Sequence, residues 1–126
     1  MKLSTIFIGK SGEDVAEKYL KKRGYRIIEK NYKSPYGEID IVALDKGTIS
    51  FIEVKYRRSE EFGPPEISVD SKKRLRLTKS ALHFLARKRI KDTPCRFDVI
   101  SITETQNSKG HKIELIKDAF EMERTF

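Results

Sequence analysis

Cysteine is almost missing from this chain. Cys95 stands alone among 126 residues, which excludes an intrachain disulfide and a cysteine-rich zinc centre. The lone thiol reads as a small apolar side chain, and a reducing cytoplasm is the compartment it fits. Long apolar runs are missing too. The opening stretch MKLSTIFIGKSGEDVAEKYL lacks the apolar core of a secretory signal. Nothing further along approaches the roughly 20 apolar residues of a membrane span, so no membrane partner is expected. Internal repeats and low-complexity tracts are absent as well. Acidic residues are in short supply: 19 Asp and Glu face 27 Lys and Arg, giving +8 and a pI near 9.6. That imbalance favours a polyanionic partner, through phosphate neutralisation and counterion release.

What is present is enough to fold. The apolar residues, 37% of the chain, fall in periodic blocks, and 126 residues correspond to one domain with a modest core, spanning 1–126. SGEDVAEKYLKKRG predicts a helix capped by Ser11, with Asp14 completing a capping box, Gly24 as the stop, and Val15, Ala16, Tyr19 and Leu20 facing the core. YRIIEKNY (25–32) reads as a strand, SPYG (34–37) as a turn, and 37–58 as a β-hairpin. The Gly-Pro-Pro within 59–70 requires a loop, which enters directly after the second hairpin strand and is expected to act as a flap. Ser71 to about Lys91 predicts a long helix with Leu75, Thr78, Leu82 and Leu85 inward. RFDVISI (96–102) and HKIELIKDAF (111–120) predict two more strands. The order αβββαββ contains a tight antiparallel hairpin, so an α/β fold with a mixed central sheet flanked by helices is expected.

The hairpin GEIDIVALDKGTISFIEVKYRR carries Glu38, Asp40, Glu53 and Lys55 where apolar residues could stand. A two-residue turn at Lys46-Gly47 would set Asp40 opposite Glu53 and Glu38 opposite Lys55, lining one face with all four charges. A three-residue turn with Asp45 included would shift the register by one and separate Asp40 from Glu53 unless a bulge restored it. Both faces of the hairpin are apolar enough to be covered, with Ile39, Ile41 and Ala43 assigned to one face and Val42 and Leu44 to the other. Two carboxylates opposed at such depth repel, and a divalent cation, a lysine or a shared proton would relieve them. The cation is the sharpest option, because carboxylates are hard oxygen ligands for Mg²⁺ or Mn²⁺. Phosphodiester hydrolysis suits the set: Asp40 and Glu53 would hold the metal while Lys55 orients the attacking water or stabilises developing charge. The plain alternative is a surface hairpin with ordinary ion pairs.

These motifs occur together. GEDVAEKYLKKRGYRIIEKNY, the hairpin, FGPPEISVDSKKRLRL and RFDVISI closely resemble the YraN-like family over roughly residues 9–120. That uncharacterised group is assigned to the PD-(D/E)XK nuclease superfamily and is similar to archaeal Holliday junction resolvases. The resemblance implies a restriction-endonuclease-like core and a DNA substrate, branched or otherwise structured. It implies catalytic roles for Asp40, Glu53 and Lys55, and it adds Glu13 on the first helix as a further acidic, metal-binding residue. Where the superfamily usually has proline before the aspartate, this chain has Ile39. Resolvases of that kind work as homodimers on symmetric junctions.

Glu13 also has a structural reading, as a carboxylate near a helix start stabilised by the helix dipole. Glu17 and Glu38 are weaker candidate ligands. The second helix is the clearest binding signal, since Lys72, Lys73, Arg74, Arg76, Lys79, Arg87, Lys88, Arg89 and Lys91 lie in a stretch with no acidic residue. Solvated faces normally mix signs. Lys72, Arg76, Lys79, His83 and Arg87 form one stripe suited to tracking phosphates, with Lys73 and Arg74 beside it. Tyr56, Arg57 and Arg58 extend the site strand outward toward a substrate backbone. His83 reads as a phosphate contact or plain surface, and Asp98 as a partner in a buried ion pair or hydrogen bond. The competing reading of the whole is a non-catalytic nucleic-acid-binding module on the same fold.

Overall fold

A computed structural model describes residues 2–57, 69–104 and 110–122, with side chains described from residue 12 onward. The elements are α1 (Lys2–Lys22), β1 (Arg26–Ser34), β2 (Gly37–Asp45), β3 (Thr48–Arg57), α2 (Ser71–Arg87), β4 (Cys95–Glu104) and β5 (His111–Phe120). The order is αβββαββ, and the strands form one sheet in the order β1-β2-β3-β4-β5. All neighbours are antiparallel except β3 and β4, which α2 joins as a parallel pair. This α/β arrangement is consistent with a restriction-endonuclease-like fold.

Gly24 ends α1 as its position predicts. Its φ of +90° allows the Gly24 N–H to reach the Lys21 carbonyl (3.0 Å) and the Tyr25 N–H to reach that of Leu20 (3.0 Å), the paired bonds of a Schellman close. The start of α1 differs from expectation. The helix begins at Lys2 and runs through Ser11, so Ser11 and Asp14 lie inside it instead of at its start. A helix-compatible stretch upstream outweighs one cap-like triplet.

The sheet carries a core cluster on each face. On one side Ala16 and Leu20 of α1 meet Tyr25, Ile41, Ala43, Ile52, Ile100 and Ile102, with Val15 and Tyr19 packed beside them. On the other, Leu77, Ala81 and Phe84 of α2 meet Tyr32, Val42, Phe51, Phe97 and Val99. Alternate residues of β3 and β4 supply the two clusters, as the period of two requires. The inward stripe of α2 is turned from the expected one. Leu77, Thr78, Ser80, Ala81 and Phe84 are buried, Leu75 and Leu85 are partly covered, and Leu82 is 43% exposed. Phe84 decides the rotation, because its ring packs edge-on against both Tyr32 and Phe51. Asp70 caps α2 by accepting the Lys73 N–H (2.9 Å), and the helix closes at Arg87, four residues before Lys91.

The hairpin turn is the two-residue form. Lys46 (φ 50°) and Gly47 (φ 86°) both take left-handed backbone, as a type I′ turn demands, and Asp45 pairs with Thr48. Pairing then runs from there to Ile41 opposite Ile52.

Candidate active site

Beyond Ile41 and Ile52 the β2–β3 ladder gives way to a side chain. Asp40 Oδ2 accepts the Val54 N–H at 2.7 Å, so a carboxylate takes the place of a main-chain acceptor. The register Lys30–Ile41 and Tyr32–Ile39 leaves Asn31 opposite Asp40, and Asn31 has a left-handed φ of 53°. Face alternation breaks at this step. Ile39 packs in the α2-side cluster with Val42 instead of joining Ile41 and Ala43, which corrects the face assigned to it above. The distortion is local, and it turns a regular hairpin into a socket.

Glu53 follows as the partner of Asp40. It is nearly buried, and the two carboxyls interact directly. Burial and the adjacent Glu53 carboxylate, with Glu13 adding a smaller repulsion, push the Asp40 carboxyl from 3.8 up to about 8 against the opposing help of the Val54 N–H. The pair therefore holds a proton near neutrality. From α2, Lys73 Nζ reaches Glu53 Oε2 at 2.9 Å. Two of the three ways of relieving opposed carboxylates are thus present together: a retained proton and a lysine. The donor set also suits the third, because Mg²⁺ binds through one or two carboxylates and takes its remaining oxygens from water and phosphate.

These groups form the floor of a cleft of about 370 Å³, which Tyr36, Glu38, Lys73 and Arg76 help to line. Glu38 thus enters the site beside Asp40. Lys55 does not line the cleft; it lies two residues beyond Glu53 on the same face, beside Ser101 of β4. Arg57 lies two further on, beside Thr103. Ser101 Oγ and Thr103 Oγ1 are buried and have no hydrogen-bond partner among the described residues.

Glu13 sits mid-helix, so the helix-dipole explanation does not apply to it. Its Oε2 accepts from Asn31 Nδ2 at 3.3 Å, which brings it to the edge of the socket. Gly12 permits this approach, since a Cβ there would stand 2.8 Å from the Tyr56 ring. Among the described residues no three carboxylate, histidine or cysteine side chains gather closely enough to hold a cation. Glu17 is committed elsewhere, to Lys21 (2.7 Å) and Lys30 (2.8 Å).

On α2 the basic residues divide. Lys72, Arg76 and Arg87 are exposed, Lys79 is half-buried, and Lys73 turns into the cleft. Arg74 Nη1 donates to the Val69 carbonyl at 2.7 Å, tying down the helix start. Tyr56 is corrected from a substrate contact to a packing residue: its ring lies against Gly12 and its hydroxyl meets Glu104 at 3.3 Å. Arg58 and residues 59–68 of the expected flap at 59–70 lie outside the described residues. His83 holds the buried Tyr32 hydroxyl through Nδ1 (2.6 Å), a tie that spacing gave no sign of. Sequence reasoning also missed Tyr36 and Ser80, whose turn and helix positions carry no signal until the cleft brings them together.

Residues 12–102 match the uncharacterised protein family UPF0102. A UPF0102 protein of Syntrophus aciditrophicus is 47% identical over 90% of this chain and 88% of its own length. One of Geotalea uraniireducens is 47% identical over 91% and 90%, and one of Thermodesulfovibrio yellowstonii is 46% identical over 94% and 99%. Likeness at that level over nearly the full length of each protein means that this chain belongs to family UPF0102.

Proposed function

We propose that this protein is a divalent-metal-dependent nuclease that hydrolyses phosphodiester bonds in DNA. One observation carries the reading: the adjacent Asp40 and Glu53 carboxyls form the floor of a cleft walled by the cationic side chains Lys73 and Arg76 of α2. Asp40 and Glu53 would hold Mg²⁺ or Mn²⁺, with Glu13 and Glu38 as outer carboxylates. Such an ion, when bound, polarises a phosphate and makes a coordinated water acidic. The chain's own groups do the rest. The Val54 N–H fixes the Asp40 carboxyl in place, which limits the reorganisation needed on binding. Lys73 exchanges Glu53 for a substrate phosphate, and Arg76 supplies a second cation on the same wall. Lys55 sits along β3 to steady the water or the developing charge, and Lys72, Lys79 and Arg87 track the backbone outward. On a symmetric four-way junction the working form would be a homodimer.

A non-catalytic nucleic-acid-binding module is the second reading, and the Lys73–Glu53 ion pair favours it, because it neutralises a carboxylate without any cation. Cleavage of duplex, single-stranded, flap and four-way-junction DNA in Mn²⁺, beside the Asp40→Asn variant, separates the two. The nuclease reading expects cleavage that Asp40→Asn reduces to background while DNA binding persists. Undiminished cleavage by that variant would remove the site assignment. Salt-sensitive binding with no cleavage of any substrate would establish the binding module.

A further inference from the structure

Next to the cleft lies a second hollow of about 380 Å³, lined by Tyr36, Lys79, Leu82 and His83. Large exposed apolar side chains are few: Ile28, Tyr36, Leu82 and Met122 among the described residues. Two of these four share this one hollow. Tyr36 borders both spaces, so it stands between the carboxyl pair and the hollow.

Its exposure, 48%, does not come from a loose turn. The Tyr36 N–H donates to Ser34 Oγ at 3.1 Å, and Ser34 Oγ donates to the Gly37 carbonyl at 3.0 Å. The same Oγ meets Ser80 Oγ at 2.8 Å, which fastens the turn to α2. The opposite wall is fixed as well. The His83 ring is held by the Tyr32 hydroxyl and stands edge-on to Tyr36, 6.4 Å between centroids at 74°. Leu82 adds an apolar surface, and Lys79 Nζ lies 5.6 Å above the Tyr36 ring. A fixed aromatic face, an apolar side and a cation beside it are the parts of a base-stacking platform.

We propose that this hollow receives one unpaired nucleobase, stacked on Tyr36, while the adjoining phosphate enters the cleft. The occupant follows from continuity and charge: the hollow opens beside a cationic phosphate track, and a base in a duplex has no free face to offer Tyr36. Lys79 moves from the ring to the flanking phosphate when the base enters. The substrate class is therefore DNA with an unpaired nucleotide, such as a bulge, flap or single strand. This inference rests on the nucleic-acid reading above and deepens it.

The test uses the full-length protein and two oligonucleotides of equal length, one a perfect duplex and one with a single bulged 2-aminopurine. Affinity and 2-aminopurine fluorescence are measured in EDTA, so that no cleavage is needed, and Mn²⁺-dependent cleavage is measured separately. The wild type should prefer the bulged DNA and quench its fluorescence. Tyr36→Ala should reduce the bulged-to-duplex affinity ratio by about 5- to 150-fold, the span of one base–aromatic stack, and Tyr36→Phe should keep it. Equal affinity of the wild type for both DNAs, or an unchanged ratio in Tyr36→Ala, would overturn the proposal. Cleavage without a bulge preference leaves the nuclease reading standing and the platform refuted. A bulge preference without cleavage does the reverse.

Discussion

Two carboxylate clusters flank the β2–β3 hairpin, one toward its turn and one where its ladder ends, and they are finished differently. Near the turn, Asp98 is fully buried and fully bonded. It accepts from Tyr25 Oη (3.0 Å), Ser50 Oγ (2.5 Å), Arg96 Nε at both oxygens (2.9 and 3.1 Å) and the Asp118 N–H (2.9 Å). Arg96 and Lys117 also reach Asp45, at 2.5 and 3.2 Å, and the Arg96 contact holds the Asp45 carboxyl below its ordinary range. Two carboxylates there meet two cations. At the open end Asp40 accepts the Val54 N–H and keeps a proton, and Glu53 meets Lys73. The first cluster holds the sheet together. The second gives up stability to keep acidic oxygens at the floor of a cleft, the pattern expected where binding matters more than rigidity.

Breaking the first cluster should cost far more than altering the second. Asp98→Ala removes the buried acceptor shared by Arg96, two hydroxyls and an N–H, so urea unfolding should show a loss of about 3–5 kcal/mol. Asp40→Asn, by contrast, removes a repulsion and keeps an oxygen for Val54, and in the absence of metal at pH 8 it should leave stability equal or higher. A comparable loss in both variants would erase the distinction between the clusters.

The two ends should also differ in their response to pH. The folded pair retains a proton that the unfolded chain releases, so this contribution to stability is full below 3.8 and declines as pH rises through about 8. Unfolding at pH 5, 7 and 9 without metal should show that decline in the wild type and a weaker one in Asp40→Asn. Mg²⁺ or Mn²⁺ at pH 8 should raise the melting temperature of the wild type, since it takes the place of the proton, and should do little for the variant.

The smallest effect on stability should come from Lys73→Met. Its side chain is 42% exposed, so losing the ion pair should cost under about 1 kcal/mol. Titration calorimetry should show tighter divalent-cation binding, because the lysine no longer competes for Glu53. DNA affinity should fall, with the salt dependence reduced by about one phosphate contact. Unchanged cation affinity would mean that Lys73 does not guard the pair.

Much of this was legible in residue order. The periods of two and 3.6 placed five strands and α2, Gly24 placed the close of α1, and Lys46-Gly47 carried the turn whose register brings Asp40 toward Glu53. Asp98 on an apolar strand face announced a buried partner, and Arg96 is that partner. The errors came where a local cue had a tertiary competitor. Ser11 looks like a cap until the helix continues upstream, Leu82 looks inward until Phe84 fixes the rotation, and Tyr56 looks like a substrate contact until Gly12 lets α1 close on it.

The sequence by itself determined the order of elements, the basic face of α2, and the two turn forms between which the Asp40–Glu53 register had to fall, because periodicity, turn chemistry and charge are local properties. Only the tertiary structure decided that Asp40 replaces a ladder acceptor, that Lys73 of α2 meets Glu53, and that Tyr36 stands between two hollows. Those outcomes depend on how α2 seats on the sheet and where β2 parts from β3, and such distances between remote residues are set by packing.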